Sequence, residues 1–332
     1  QVWKKAAEPS PIAGYQHQFI DRDKPGPGTD ILTIDIAGNG KMDVACGRWW
    51  YEHATWRRHE LPGTAQVINA CDVDGDGRQE LIVTLRNPEG GHFSNRLACL
   101  KPIDPVAGRW QTHEIGQGTG DWPHGSCVGP LGPGGRMALV TAYHSAHAKP
   151  GGTPHYPEIW LVPADPTQPW ERRTLAEVAY GEQLIPWDIA GNGRLDIFCG
   201  SWWLENHGDG SFTAHRMFEG VYPARLAVLD IAGNGRPDLV VGDETVDWSN
   251  RTSKHAALLV RVPAGPAPAV DPARYRQGSL SAFPGGGRPG RRRRGGDHLR
   301  GTRPVLPVSP AVQALRLQEG RPGRQHLEAM DP

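Results

Sequence analysis

The segment Asp72-Val73-Asp74-Gly75-Asp76-Gly77-Arg78-Gln79-Glu80 offers an oxygen donor at alternate positions along a short, glycine-broken loop. Carboxylates stand at its first, third, fifth and ninth positions, the backbone carbonyl of Arg78 at its seventh, and Gly77 at the sixth, where the chain must turn. A set of this kind suits a hard divalent cation with several oxygen ligands, and calcium is the natural choice. An EF-hand would need a helix on each side and a bidentate acid at the twelfth position. Here the flanks, Val67-Ile68-Asn69-Ala70 and Leu81-Ile82-Val83-Thr84, read as strands.

The same frame returns as Asp35 to Asp43 (DIAGNGKMD), Asp188 to Asp196 (DIAGNGRLD) and Asp230 to Asp238 (DIAGNGRPD). A further, eroded copy over Val128 to Ala138 keeps glycines and has lost the acids. The strongest metal ligands are therefore Asp72, Asp74, Asp76, Arg78 and Glu80. Weaker sets are Asp35, Asn39 and Asp43, then Asp188, Asn192 and Asp196, then Asp230, Asn234 and Asp238. In these three loops the third position is an alanine, Ala37, Ala190 or Ala232. The plain structural reading of all four is a turn that closes on itself, its first Asp accepting backbone N–H bonds and its glycines at positive φ. An ion in such a turn would be structural. Repetition at about 40 residues indicates a solenoid or a propeller. The loops and their flanking strands resemble FG-GAP/VCBS repeats, the family that builds β-propellers, the integrin α-chain propeller among them. The resemblance spans about residues 15 to 280 and implies an all-β propeller of four-stranded blades, structural calcium and an exported, extracytoplasmic protein.

A second repeat runs out of phase with the first: an aromatic, usually His or Gln three residues on, an aliphatic at five. It appears as Tyr15/Gln18/Ile20, Trp56/His59/Leu61, Trp110/His113/Ile115, Trp170/Arg173/Leu175 and Phe212/His215/Met217, and faintly as Tyr275/Gly278/Leu280. Odd offsets place the aromatic and the aliphatic on opposite faces of one strand, so this is an outer strand packing between blades, and His59, His113 and His215 are structural. The two repeats together predict blades near 29–61, 64–115, 120–175, 181–217 and 222–280, with residues 1–20 supplying an extra outer strand. Propellers close with one terminus completing the blade of the other, and six or seven blades are expected of a complete ring.

Both periodicities stop after Leu280. Residues 281–332 read either as a disordered basic tail or as an out-of-frame translation of the missing blades. The overall balance of 36 basic and 36 acidic residues hides the difference. Ser279 to Pro332 holds ten arginines against four acids, leaving 26 basic and 32 acidic residues before it. A mildly acidic body argues against nucleic acid as a partner. No apolar run reaches membrane-spanning length. The 43 glycines and 12 tryptophans suit many tight turns in an all-β fold. Cys46, Cys71, Cys99, Cys127 and Cys199 lack CxxC spacing, and Cys46 and Cys199 occupy one place in two repeats, so they read as small core residues. Gln1 opens the sequence without a signal peptide, as in a mature or trimmed product.

If each acidic turn joins the innermost strand of a blade to the next, all of them share one rim. A strand of five or six residues, at about 3.3 Å each, then carries the chain to the opposite rim. The segments expected there are Arg48 to His53, Arg86-Asn87, Tyr143 to His147, Ser201 to Asn206 and Asp243-Glu244. The starts of the innermost strands add Asp30, Gln66, His124, Glu182 with Gln183, and Arg225. Polar groups converging on an aromatic-lined concavity describe a small-molecule site. Indoles among charged side chains suit a carbohydrate or similar polar ligand, with Arg48, Trp49, Gln66, Arg86, Gln183, Trp202 and Asp243 as candidate contacts. One tryptophan of each pair, Trp49-Trp50 and Trp202-Trp203, is expected to pack between blades.

Propellers of this repeat type also resemble the domain of aldos-2-ulose dehydratase and of some polysaccharide lyases, which implies sugar elimination as an alternative activity. The chain offers His124 or His144 as base, Tyr143 or Glu182 as second acid–base group, and Arg225 or Arg86 to stabilise charge. A third alternative, a protein-interaction propeller, would use the same rim. His144 and His147 form an HxxH on a lengthened loop with no third ligand fixed by spacing, so exposed loop histidines are expected there and zinc is not.

Overall fold

The computed structural model describes residues 18–88, 93–143, 155–178, 182–219, 223–231, 237–247 and 252–261. They form an all-β chain of five antiparallel sheets, four of four strands and one of three among the described residues. Each sheet is a meander of consecutive strands. The first blade is β1 (Ile31–Ile34), β2 (Asp43–Cys46), β3 (Trp49–Tyr51) and β4 (Arg58–Glu60). The second is β5 (Thr64–Cys71), β6 (Glu80–Leu85), β7 (Arg96–Asp104) and β8 (Arg109–Gln117). The third is β9 (Pro123–Gly129), β10 (Ala138–Tyr143), β11 (Glu158–Leu161) and β12 (Glu171–Thr174). The fourth is β13 (Leu184–Trp187), β14 (Asp196–Cys199), β15 (Trp202–Asn206) and β16 (Phe212–Arg216). The fifth is β17 (Pro223–Leu229), β18 (Asp238–Asp247) and β19 (Thr252–Arg261). These are the five expected blades. The expected outer strand over residues 1–20 falls almost wholly outside the described residues, as does everything after Arg261, residues 281–332 included.

Blades meet face to face through four apolar clusters, each shared by consecutive sheets. The outer strands show why the out-of-phase repeat exists. Trp110, Trp170 and Phe212 pack into the cluster shared with the preceding blade. Leu61, Ile115, Leu175 and Met217, on the opposite face of the same strands, pack into the cluster shared with the following blade. An offset of five residues in a strand reverses the face, so one short segment seals two interfaces. Trp56 departs from the pattern: it precedes β4, in a turn at positive φ (52°), and meets His53 edge-on.

The expectation for the tryptophan pairs is met. Trp50 is fully buried and stacks on His59 at 4.2 Å, and Trp203 is buried beside His215 at 4.7 Å. Glu52 and Glu205 accept from those imidazoles at 3.4 and 2.8 Å, so both histidines have structural partners. All five cysteines are buried, and none of them is in a disulfide. Burial pushes the Cys71 and Cys199 thiols up to about 12, as befits inert core residues.

Each acidic turn is closed by its ninth residue. Asp43, Glu80, Asp196 and Asp238 are at most 5% exposed and accept the backbone N–H of Ala37, Val73, Ala190 and Ile231 at 2.9 to 3.1 Å. Asp43 and Asp196 use their second oxygen as well, for the N–H of His53 (2.7 Å) and Asn206 (2.8 Å) on the neighbouring hairpin. A buried N–H that loses its acceptor costs about 1–3 kcal/mol. Asp196→Ala is therefore expected to lower stability by roughly 2–4 kcal/mol, measured as a lower urea midpoint. Asp188→Ala, at the solvent-facing end of the same turn, is expected to cost less than half as much.

Candidate functional site

The acidic turns of neighbouring blades lie together. Arg78 donates to Ile36 O across the first two turns at 3.4 Å, and an open groove of about 650 Å³ runs between them over Met42, Ile103 and Val106. The eroded third turn, a 3-10 turn over Pro133–Gly135, meets the β15–β16 hairpin through a Gly134 N–H to Gly208 O bond of 2.8 Å.

The starts of the innermost strands lie at the other end of the sheets. Among the described residues neighbouring innermost strands share no backbone ladder; the Val67 N–H reaches Gly47 O of the preceding blade at 2.7 Å, and side chains add further links. Gln66, only 2% exposed, accepts the Thr29 N–H and donates to Pro27 O, both at 3.4 Å. Asn69 donates to the Ser126 hydroxyl (3.1 Å), which donates to Ile68 O (2.9 Å). Gln183 accepts the Leu226 N–H at 2.9 Å. Gln66 and Gln183, expected as ligand contacts, are thereby placed as inter-blade clamps.

Three charged groups of this mouth meet from three blades, and a fourth, Asp30, lies within electrostatic reach of one of them. His124 Nδ1 on β9 is 3.5 Å from Glu182 Oε1, just before β13, and both side chains are largely buried. Arg225 on β17 donates to Glu182 O at 3.3 Å. It also acts on Asp30, just before β1. Burial pushes the Asp30 carboxyl up to about 6, while the Thr29 hydroxyl (3.0 Å) and the Arg225 guanidinium pull it down.

An aromatic wall that sequence reading missed adjoins this cluster. Trp122 meets His124 edge-on at 4.7 Å, and Phe93, itself 39% exposed, stacks on Trp122 at 4.2 Å. Strand alternation was the available signal for Trp122, which sits two residues before His124 on the same face. Phe93 lies in an irregular loop whose path no local pattern dictates.

The other candidates are placed as follows. Tyr143 is buried and its hydroxyl donates to Glu158, which also accepts from Thr119 (2.8 Å) and Arg172 (2.9 Å). Burial pushes that phenol well above its usual range, and Glu158 adds to the shift. Arg48 and Arg86 both reach Glu60, and Arg86 also donates to Thr64 O at 3.1 Å. Trp49 has its indole N–H on Pro25 O at 2.8 Å, with Arg48 and Arg58 over the ring at 4.8 and 5.0 Å. Trp202 is partly exposed, under Arg216 at 5.0 Å. Asp243 lies within β18, paired with Pro223 and Ala256, and its side chain is outside the described residues. His144, His147 and Asn234 also fall outside them.

Two of the segments expected at the mouth turn back. Strands β3 and β15 run away from it, so Arg48, Trp49, Ser201 and Trp202 start at the mouth, whereas Glu52-His53 and Glu205-Asn206 end beside the acidic turns. The bonds from His53 N and Asn206 N to Asp43 and Asp196 fix that placement.

The metal-ligand candidates share one turn chemistry, and the second turn adds further acids to it. In the first and fourth turns both oxygens of the leading acid accept backbone N–H donors: Asp35 from Asn39 (2.9 Å) and Gly40 (2.7 Å), Asp188 from Asn192 and Gly193 (both 2.9 Å). Asn39 and Asn192 each accept from the residue two further on at 3.0 Å. Asp72 likewise commits both oxygens in the second turn, accepting from Gly75 (2.7 Å) and Gly77 (2.9 Å), so the leading acid is satisfied in all three. In the second turn Asp72, Asp74 and Glu80 bring oxygens within 4.8 Å of one another. Buried Glu80 leaves Oε1 without a hydrogen-bond partner. This donor set fits a hard cation, and the ammonium of Lys101 already reaches it, donating to Asp74 and Asp76 and lying 3.8 Å from Glu80 Oε1.

No known protein-family model matches the chain, and no curated protein does, so the FG-GAP/VCBS likeness rests on the repeats themselves. Among solved structures, the V. cholerae biofilm matrix protein Bap1 is similar over 74% of this chain and 40% of its own, at 12% identity and a TM-score of 0.42. The chain thus spans about two fifths of that protein. Among the described residues, no helix is long and apolar enough to cross a membrane.

The Asp30 carboxyl gives a pH prediction with a definite sign. Its folded pKa of about 6 lies above the ordinary 3.8, so the stability it contributes is complete below that lower value and is lost as pH rises towards 6. Asp30→Asn is expected to raise stability at pH 7 by roughly 1–2 kcal/mol, reduced from the full shift for partial exposure. The gain should vanish below about pH 4. Thermal midpoints of both proteins across this range check it, and a difference that stays flat with pH would count against the assignment.

Proposed function

We propose that the mouth formed by Asp30, His124, Glu182 and Arg225 binds a carbohydrate or a similar polar ligand, and that the protein works outside the cytoplasm. The observation that carries this reading is the meeting of an acid, an imidazole and a guanidinium from three blades beside the Trp122–Phe93 wall, with Asp30 in the field of the guanidinium. A sugar presents C–H faces that stack on rings and hydroxyls that bond to carboxylates and guanidinium forks. The extracytoplasmic location comes from the repeat resemblance alone.

The His124–Glu182 pair supports a second reading, a carbon–oxygen lyase acting by β-elimination. Glu182 orients an imidazole that removes the proton α to a carboxyl or carbonyl group. Arg225 stabilises the enolate, and the β-oxygen leaves as the double bond forms. Tyr143, committed to Glu158, is not needed in this scheme.

Calorimetric titration with neutral and acidic oligosaccharides tests the first reading. Trp122→Ala and Arg225→Ala are each expected to weaken binding at least roughly tenfold. Absence of heat with the whole panel at millimolar concentration would overturn it. Ultraviolet absorbance of an unsaturated product, abolished in His124→Ala, tests the second.

A further inference from the structure

In a cation site of this loop type the ion would sit between the first, third, fifth and ninth side chains. We propose that Lys101 is the built-in counter-cation of the Asp72 turn, holding the place of a divalent ion, so that any such ion must first displace it. Three observations carry this. Lys101 reaches from β7 to donate to Asp74 and Asp76 and faces Glu80 at 3.8 Å. Glu80, 1% exposed, aims its unpartnered Oε1 into the same acids. A cavity of about 120 Å³ lined by Asp74, Glu80, Lys101, Gln111, His113 and Thr167 adjoins them, with room for the lysine head to withdraw.

The other blades supply the internal comparison. Leu81 pairs with Leu100, Val44 with Tyr51 and Ile197 with Leu204, which places Lys101 at the same register position as Glu52 and Glu205. Where the turn carries Ala37 or Ala190 in place of a third-position acid, that position is a glutamate facing a histidine. Where the turn carries four acids, it is a lysine. The fifth blade, whose turn carries Ala232, places Arg261 at this same position, opposite Asp238. Charge at this position follows the acid content of the turn in the first, second and fourth blades, and the fifth departs from that pattern. One ammonium, with three N–H donors, cannot engage the six to eight oxygens that calcium would, but it neutralises part of the repulsion without any ion.

The test uses the intact chain and its Lys101→Met variant, which keeps the apolar stem. The unsubstituted protein is expected to melt at the same temperature in EDTA and in calcium. Lys101→Met should melt lower in EDTA, recover in calcium, and bind calcium at least tenfold more tightly by calorimetry. Equal calcium affinity in the two proteins, or a variant indifferent to EDTA, would overturn the proposal. If Lys101→Met does not fold in either buffer, the double variant Lys101→Met/Asp74→Asn decides. With the excess acid gone it should fold and ignore calcium, and failure of that variant to fold would also overturn the proposal.

Discussion

The innermost strand of a blade has an outer edge paired by its own sheet and an inner edge with no ladder partner. Unpaired backbone groups at such an edge are costly when water is thin around them and invite wrong pairing when it is not. This chain answers with side chains of adjacent blades: Gln66 on Thr29 and Pro27, Ser126 on Ile68, Gln183 on Leu226. The polarity of the mouth is therefore in the first place a requirement of the fold. Beside that stitching stand the charged groups His124, Glu182, Arg225 and Asp30, of which the first three also bridge blades.

Between blades the forces are of the opposite kind. Aromatic and aliphatic side chains five residues apart on each outer strand seal two faces at once, and buried ninth-position acids hold the turns at which the sheets reverse. These acids are buried because their oxygens are occupied by backbone N–H groups, which makes a carboxylate tolerable in the interior. Glu80 departs from that rule. One oxygen is satisfied by Val73 and the other is not. Burial pushes its carboxyl up, and the Val73 N–H opposes that shift.

The blades, their order, the outer-strand packing and the self-closing turns were legible in the sequence because all depend on local periods of two residues or on fixed turn chemistry. The mouth residues Asp30, His124, Glu182 and Arg225 were legible for a related reason, since each starts an innermost strand and the fold brings those starts together. Three things were not legible. The polar groups consumed by stitching, such as Gln66, look like ligand contacts until their long-range partners are known. The segments after Arg48 and Ser201 look as though they stay at the mouth, but three- and five-residue strands carry them back to the turns. Lys101 lies in the third strand of its blade, 25 residues beyond Asp76, and only the sheet register brings its ammonium to the acids.

A groove of about 650 Å³ runs over the acidic turns of the first two blades, away from the mouth. Its floor is Met42, Ile103 and Val106, all exposed, and its acids and arginines include Asp35, whose carboxylate already holds the turn, and Arg109, which pairs with Asp104. At the mouth the charges are drawn from different blades, lie partly out of water, and adjoin a ring system with an exposed edge. Electrostatic contacts strengthen as water is excluded. A smaller, half-buried meeting of unlike charges is therefore the stronger recognition site of the two, and the groove is better understood as the gap left where neighbouring turns splay apart.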